Sequence, residues 1–102
     1  DLDAIAAMDG IDALTLGPGD LAQDLGVLGT PEQARVLDER RAALLAAAAR
    51  HGKTCAMLVS SAEQARKWRD EGVLLLVYRS DVDILHAGFS RAVSEIRGLP
   101  VA

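Results

Sequence analysis

The sequence predicts an α/β fold built from three parallel strand–helix units. Two observations carry this reading. The runs Ala13–Leu16, Thr54–Val59 and Val73–Val77 are apolar nearly throughout, without the alternation of a half-exposed strand. That is the pattern of parallel strands covered on both faces. A helix–Gly–strand step also recurs, at Gly10, Gly52 and Gly72. A third observation sets the architecture. Three such strands alone would leave two apolar edges without partners. The chain therefore reads as a partial domain over residues 1–102, the C-terminal part of a (β/α)8 TIM barrel with its last three strand–helix units, in preference to an open doubly wound sheet.

Each element has its own signals. Leu2, Ile5, Ala6 and Met8 have helical spacing, and Gly10 stops that helix. After the strand Ala13–Leu16, Gly17-Pro18-Gly19 breaks the chain, and Asp20–Leu25 forms a short helix stopped by Gly26. Thr30-Pro31-Glu32-Gln33 predicts a helix start, with Thr30 as N-cap, Pro31 in the first turn and Gln33 closing a capping box. That helix runs to Ala49, with Arg50 and His51 suiting its negative end and Gly52 stopping it. Ser60-Ser61 caps a helix from Ala62 to about Glu71, and Gly72 ends it. Ser80 caps the last helix, Asp81 to about Arg97, whose apolar face is Ile84, Leu85, Phe89, Val93 and Ile96.

Composition narrows the function classes. At 102 residues the chain is one domain at most. Half of it is apolar, but its aromatic residues are only Trp68, Tyr78 and Phe89, so Ala, Leu and Val must fill the core. The net charge of −4 argues against nucleic acid or an anionic membrane as partner. Cys55 is the only cysteine, which excludes an internal disulfide and fits a cytoplasmic location. No apolar run approaches the ~20 residues that span a bilayer, and no signal peptide is visible. The chain starts without Met, inside a helical pattern, as a piece of something longer would.

The chemistry centres on Ala13-Leu14-Thr15-Leu16-Gly17-Pro18-Gly19-Asp20-Leu21-Ala22. It places Asp20 where a strand has ended and a helix begins, at the end of the sheet where α/β folds keep their sites. From residue type alone, a helix N-cap is the simpler role for Asp20. Asp24 reads as a solvated helix residue and Asp12 as a group at the strand entry, on the opposite rim. His51 and His86 are isolated, without ligand spacing. Cys55 reads as a small buried hydrophobe. No Ser-His-Asp set or zinc motif can be assembled, and Ser60 and Ser61 read as caps.

Gly10-Ile11-Asp12-Ala13-Leu14, Gly17-Pro18-Gly19-Asp20-Leu21-Ala22 and Leu25-Gly26 resemble the sixth-strand signature of the HpcH/HpaI aldolases, relatives of the citrate lyase β subunit. Gly52-Lys53, then Ser61-Ala62-Glu63-Gln64-Ala65, Gly72 and Ser80-Asp81 continue the similarity. The resemblance implies a TIM barrel and a divalent metal (Mg²⁺, Mn²⁺ or Co²⁺). It implies reversible cleavage of 4-hydroxy-2-oxo acids into pyruvate, or a related 2-oxo acid, and an aldehyde. By the same resemblance Asp20 is the metal ligand, and the backbone N–H groups of Gly19 and Asp20 help hold the substrate carboxylate. The family's other metal carboxylate, its arginine and its histidine base lie on earlier strands, so this chain alone is expected to be inactive. Family members also pack their last helix between subunits, which implies a homo-oligomer through Phe89, Val93 and Ile96. A citrate-lyase-β-like acyl-CoA lyase and a non-catalytic α/β interaction module are the alternatives. Arg79 stands where the family usually has a small residue, often Gly; a surface ion pair with Asp81 or Asp83 is the favoured reading, and contact with an acidic substrate tail the other.

Overall fold

The structure is a computed structural model and describes residues 1–99. In chain order the elements are α1 (Leu2–Ala6), β1 (Ala13–Thr15), α2 (Pro18–Asp24), α3 (Gln33–Arg50), β2 (Thr54–Val59), α4 (Ala62–Asp70), β3 (Leu75–Tyr78) and α5 (Asp81–Arg97). The strands form one parallel sheet in the order β1-β2-β3. Ala13 pairs with Thr54 and Thr15 with Ala56; Ala56 pairs with Leu75 and Val59 with Tyr78. The expected α/β architecture of three strand–helix units is therefore present, and all three strands deliver their C-terminal ends to one edge.

The core lies between the sheet and α1, α3 and α4. Leu14, Cys55, Met57 and Val59 face it from the strands, and Ala6, Leu44, Ala47, Ala48 and Trp68 from the helices. The alanines on α3 let that helix lie close to the sheet. The helix stops behave as expected: Gly10, Gly52 and Gly72 have φ of +83°, +63° and +96°, a region costly for any residue with a Cβ. The other side of the sheet is uncovered. Leu58, Leu75, Leu76 and Val77 are exposed, as the inner face of an open barrel section would be. Helix α5 buries none of its residues; Ile84, Leu85, Phe89, Val93 and Ile96 are all exposed, and the molecule is drawn out to 66 Å along its long axis.

Local detail departs from the sequence reading in four places. Helix α2 starts at Pro18 instead of Asp20, with Gly17 as N-cap, because Pro is pre-shaped for the first helical position. Thr30 does not cap α3: its Oγ1 donates to Val27 O (2.8 Å), Gln33 Oε1 accepts from Gly29 N–H (2.6 Å), and the N-cap is Glu32 without a side-chain bond. Strand β3 starts at Leu75, since Val73 N–H is tied back to Trp68 O (2.9 Å) and Val73 is packed in the core before the strand pairs. Helix α1 ends at Ala6, short of the Met8 that its spacing suggested.

Candidate functional site

Three loops meet at the C-terminal edge of the sheet: Leu16-Gly17 after β1, Ser60-Ser61 after β2, and Arg79-Ser80 after β3. Each opens into a helix. Two of these helices close their first turn with their own serine. Ser61 Oγ accepts from Gln64 N–H (3.1 Å). Ser80 Oγ accepts from Asp83 N–H (3.1 Å), and Asp83 Oδ2 accepts in return from Ser80 N–H (3.3 Å) and Ser80 Oγ (2.7 Å). These bonds hold the Asp83 carboxyl below its ordinary range, with the nearby charges of Arg79 and His86 adding to the effect.

Helix α2 is different. Gly17 caps it with no side-chain bond, and its first helical hydrogen bond runs from Leu21 N–H to Gly17 O (3.0 Å). The N–H groups of Gly19 and Asp20 precede that bond, so the helix leaves them without partners. Asp20 sits in the first turn, one turn inside the cap position that residue type suggested. Its side chain is exposed and makes no hydrogen bond or ion pair among the described residues. The carboxylate folds back over Gly17, where an added Cβ would lie 3.3 Å from Asp20 Oδ2. Position 17 must therefore stay small for Asp20 to keep this pose. A Cβ built on Gly19 meets nothing within 4 Å, so the space beside the free N–H groups is open.

An unengaged carboxylate at a helix start fits a hard divalent cation, which takes oxygen donors and often only one or two from protein. Among the described residues no three His, Cys, Asp or Glu side chains converge as a metal cluster, so Asp20 is a single donor. Asp24 is the exposed last residue of α2. Asp12 lies at the other end of β1, where its carbonyl accepts from Thr54 N–H (3.0 Å). His51, at the end of α3, contacts Asp3 Oδ1 (3.2 Å), also away from the site. The Cys55 thiol is buried, and burial pushes its pKa up, the opposite of what a nucleophile needs. Ser60 is occupied structurally, its N–H and Oγ both held by Gln64 Oε1 (2.8 and 3.2 Å).

Arg79 departs from its favoured reading. Among the described residues it makes no ion pair with Asp81 or Asp83. Its Nε donates to Ser60 O (2.9 Å), its backbone N–H to Val59 O (3.0 Å), and its φ is +48°. It is the only non-glycine residue with positive φ among those described. The residue types around it carry no signal of that conformation; only the small residue expected at this position pointed to it.

The sequence model of the HpcH/HpaI aldolase/citrate lyase family matches residues 1–86. A 5-keto-4-deoxy-D-glucarate aldolase of Salmonella arizonae is 34% identical over 87 residues, which are 85% of this chain and 34% of that protein. A hydroxypyruvate/pyruvate aldolase of Delftia acidovorans is 35% identical over 81 residues, 79% of this chain and 30% of that protein. The chain thus spans about a third of the length of these relatives. Among solved structures, an HpcH/HpaI aldolase from Desulfitobacterium hafniense superposes with a TM-score of 0.81 at 29% identity, over 98% of this chain and 39% of that one.

Proposed function

The chain belongs to the HpcH/HpaI aldolase/citrate lyase family, and from that premise we propose that it forms the last three strand–helix units of a metal-dependent 2-oxo-acid aldolase. The reaction is cleavage of a 4-hydroxy-2-oxo acid between C3 and C4, giving pyruvate or a related 2-oxo acid and an aldehyde. The observation that carries the proposal is Asp20: an unengaged carboxylate beside two unpartnered N–H groups, at the strand ends where α/β folds place their chemistry. Asp20 would give a carboxylate oxygen to a divalent cation, Mg²⁺, Mn²⁺ or Co²⁺. Such a cation, when bound, supplies the Lewis acidity that polarises the 2-oxo group. The N–H groups of Gly19 and Asp20 would hold the substrate carboxylate, helped by the partial positive charge of the helix start. Gly17 keeps the Asp20 carboxylate in place, and the missing Cβ at Gly19 leaves the approach open.

Cleavage also needs a base for the 4-hydroxyl proton and a second metal carboxylate, and both roles fall to the barrel strands that precede these three. A second copy of the chain would cover the apolar face of α5 (Ile84, Leu85, Phe89, Val93 and Ile96), which touches nothing in its own chain. The test is a retro-aldol assay with pyruvate detection on the complete barrel that includes this chain, with and without Mn²⁺. Turnover that disappears on chelation and returns with Mn²⁺ is expected. No pyruvate from any 4-hydroxy-2-oxo acid would leave a non-catalytic module as the better account.

A further inference from the structure

Arg79 is an exception on three counts. It holds a left-handed backbone conformation that costs any residue with a Cβ of the order of 1–3 kcal/mol. Its side chain is half-buried. It forms no ion pair among the described residues, although Asp81 and Asp83 follow within four positions. Both acids are used elsewhere: Asp83 by Ser80, and Asp81 Oδ1 by Val82 N–H (2.9 Å). The stack on the Tyr78 ring is loose, at 5.7 Å.

The Arg79 side chain is nevertheless held. Nε donates to Ser60 O (2.9 Å), which draws the guanidinium from β3 back across the end of β2, toward the strand that carries Asp20. That bond uses one of five donors, so the paired Nη edges stay available for a bidentate partner. With Ser60, Asp83, His86 and Ala87, Arg79 lines an open recess of about 320 Å³. The ends of β1 and β3 are two strand spacings apart, about 10 Å. That suits a chain of about six carbons held at one end beside Gly19 and Asp20 and at the other by Arg79.

We propose that Arg79 is a specificity-determining residue that binds a terminal carboxylate on the aldehyde half of the substrate, so that the enzyme prefers 2-oxo acids with a second acid group at the far end. This rests on the aldolase reading of the site. The guanidinium fork matches a carboxylate in both geometry and charge. The strained backbone is held by the Val59 and Ser60 carbonyls, and the result is an arginine pre-aimed along the strand ends.

Binding tests this without turnover. On the complete barrel, 2-oxohexanedioate and 2-oxohexanoate differ only in the terminal carboxylate, and calorimetry in the presence of Mn²⁺ compares them. Wild type should bind the diacid about 10- to 100-fold more tightly, the range of a charged hydrogen-bonded pair. Arg79→Gly suits the positive φ, so it keeps the fold; it should abolish the preference and leave 2-oxohexanoate affinity unchanged. Arg79→Lys should recover only part of it, as a point charge cannot make the bidentate contact. Equal affinities in wild type, equal weakening of both ligands in Arg79→Gly, or no binding of either would overturn the proposal. Retro-aldol turnover, measured in parallel, reports on the aldolase reading by itself: a diacid preference without turnover would sink that reading and leave Arg79's role standing.

Discussion

The guanidinium of Arg41 on α3 lies 3.9 Å from the centroid of the Trp68 ring on α4. Arg41 also pairs with Asp38 (2.5 Å) on its own helix and with Glu71 (3.3 Å) just beyond α4. Lys67 stands 4.7 Å from the same ring. Helices α3 and α4 are thus joined by one stacked cation over the largest buried side chain, and together they fix β2 between its neighbours.

Removing that ring should be costly. Trp68→Ala opens a cavity in the core and is expected to destabilise by about 3–5 kcal/mol. Arg41→Ala loses a partly buried stack and two ion pairs, and should cost about 1–2 kcal/mol. The two residues touch, so the double variant should fall short of the sum by about 0.5–1.5 kcal/mol. Urea unfolding of the four proteins checks all three values; strict additivity would show that the stack contributes nothing.

A pH effect follows from Asp3. Its carboxyl is held below the ordinary value, first by the hydrogen bond from Arg50 and then by that with His51. A lowered folded-state pKa means that the unfolded chain takes up the proton more readily. The contribution is therefore complete above the unfolded carboxylate pKa of about 4 and is lost as pH falls through the lower folded value. Asp83, held down by Ser80, acts in the same direction. Urea midpoints should fall between pH 6 and pH 3, and less steeply in Asp3→Asn. Identical slopes would remove Asp3 from the account.

Helix α5 makes a contrasting prediction. Phe89→Asp and Val93→Asp alter residues that pack against nothing in the same chain. Unfolding stability should move by no more than about 0.5 kcal/mol, as at other exposed positions. Association should fall sharply if a second copy covers this face, which sedimentation velocity reads directly. Unchanged association would place the interface elsewhere.

The strands and their order were legible because unbroken apolar runs such as Thr54–Val59 have few alternatives in an α/β chain. Ser61 and Ser80 were legible as caps because a hydroxyl before a helical pattern has one dominant use. Thr30-Pro31-Glu32-Gln33 carried the same signal and misled, since Thr30 and Gln33 both turn back to the preceding loop. Capping is a local competition that residue types alone do not decide. The apolar face of α5 was read correctly, but periodicity cannot say whether a helix covers its own sheet or projects from it. The site divides in the same way: Gly17-Pro18-Gly19-Asp20 could be read from the sequence, whereas the backbone of Arg79 is set by carbonyls nineteen and twenty positions away.

The decisive variant for the site is Asp20→Asn. Asp20 is in the first turn of α2, one turn inside the cap, so its folding role is limited to a favourable charge near the helix start. Losing that charge should cost about 0.3–1 kcal/mol. The amide has the same shape, so Gly17 still accommodates it. If Asp20 only stabilises α2, metal binding and turnover of the complete barrel should survive. If it donates an oxygen to the cation, one of very few charged donors is gone. Metal affinity should then fall by at least about 10- to 100-fold, the range already seen when supporting groups of metal ligands are removed. Turnover should fall further, because the cation's charge is what polarises the substrate. Asp24→Asn, one turn on at the exposed end of α2, removes the same charge from the same helix and should be nearly silent. Metal titration and retro-aldol rate on both variants separate the two roles. Normal metal affinity and rate in Asp20→Asn would take the central residue out of the site, because no other carboxylate in this chain stands unengaged on a helix start at that edge of the sheet.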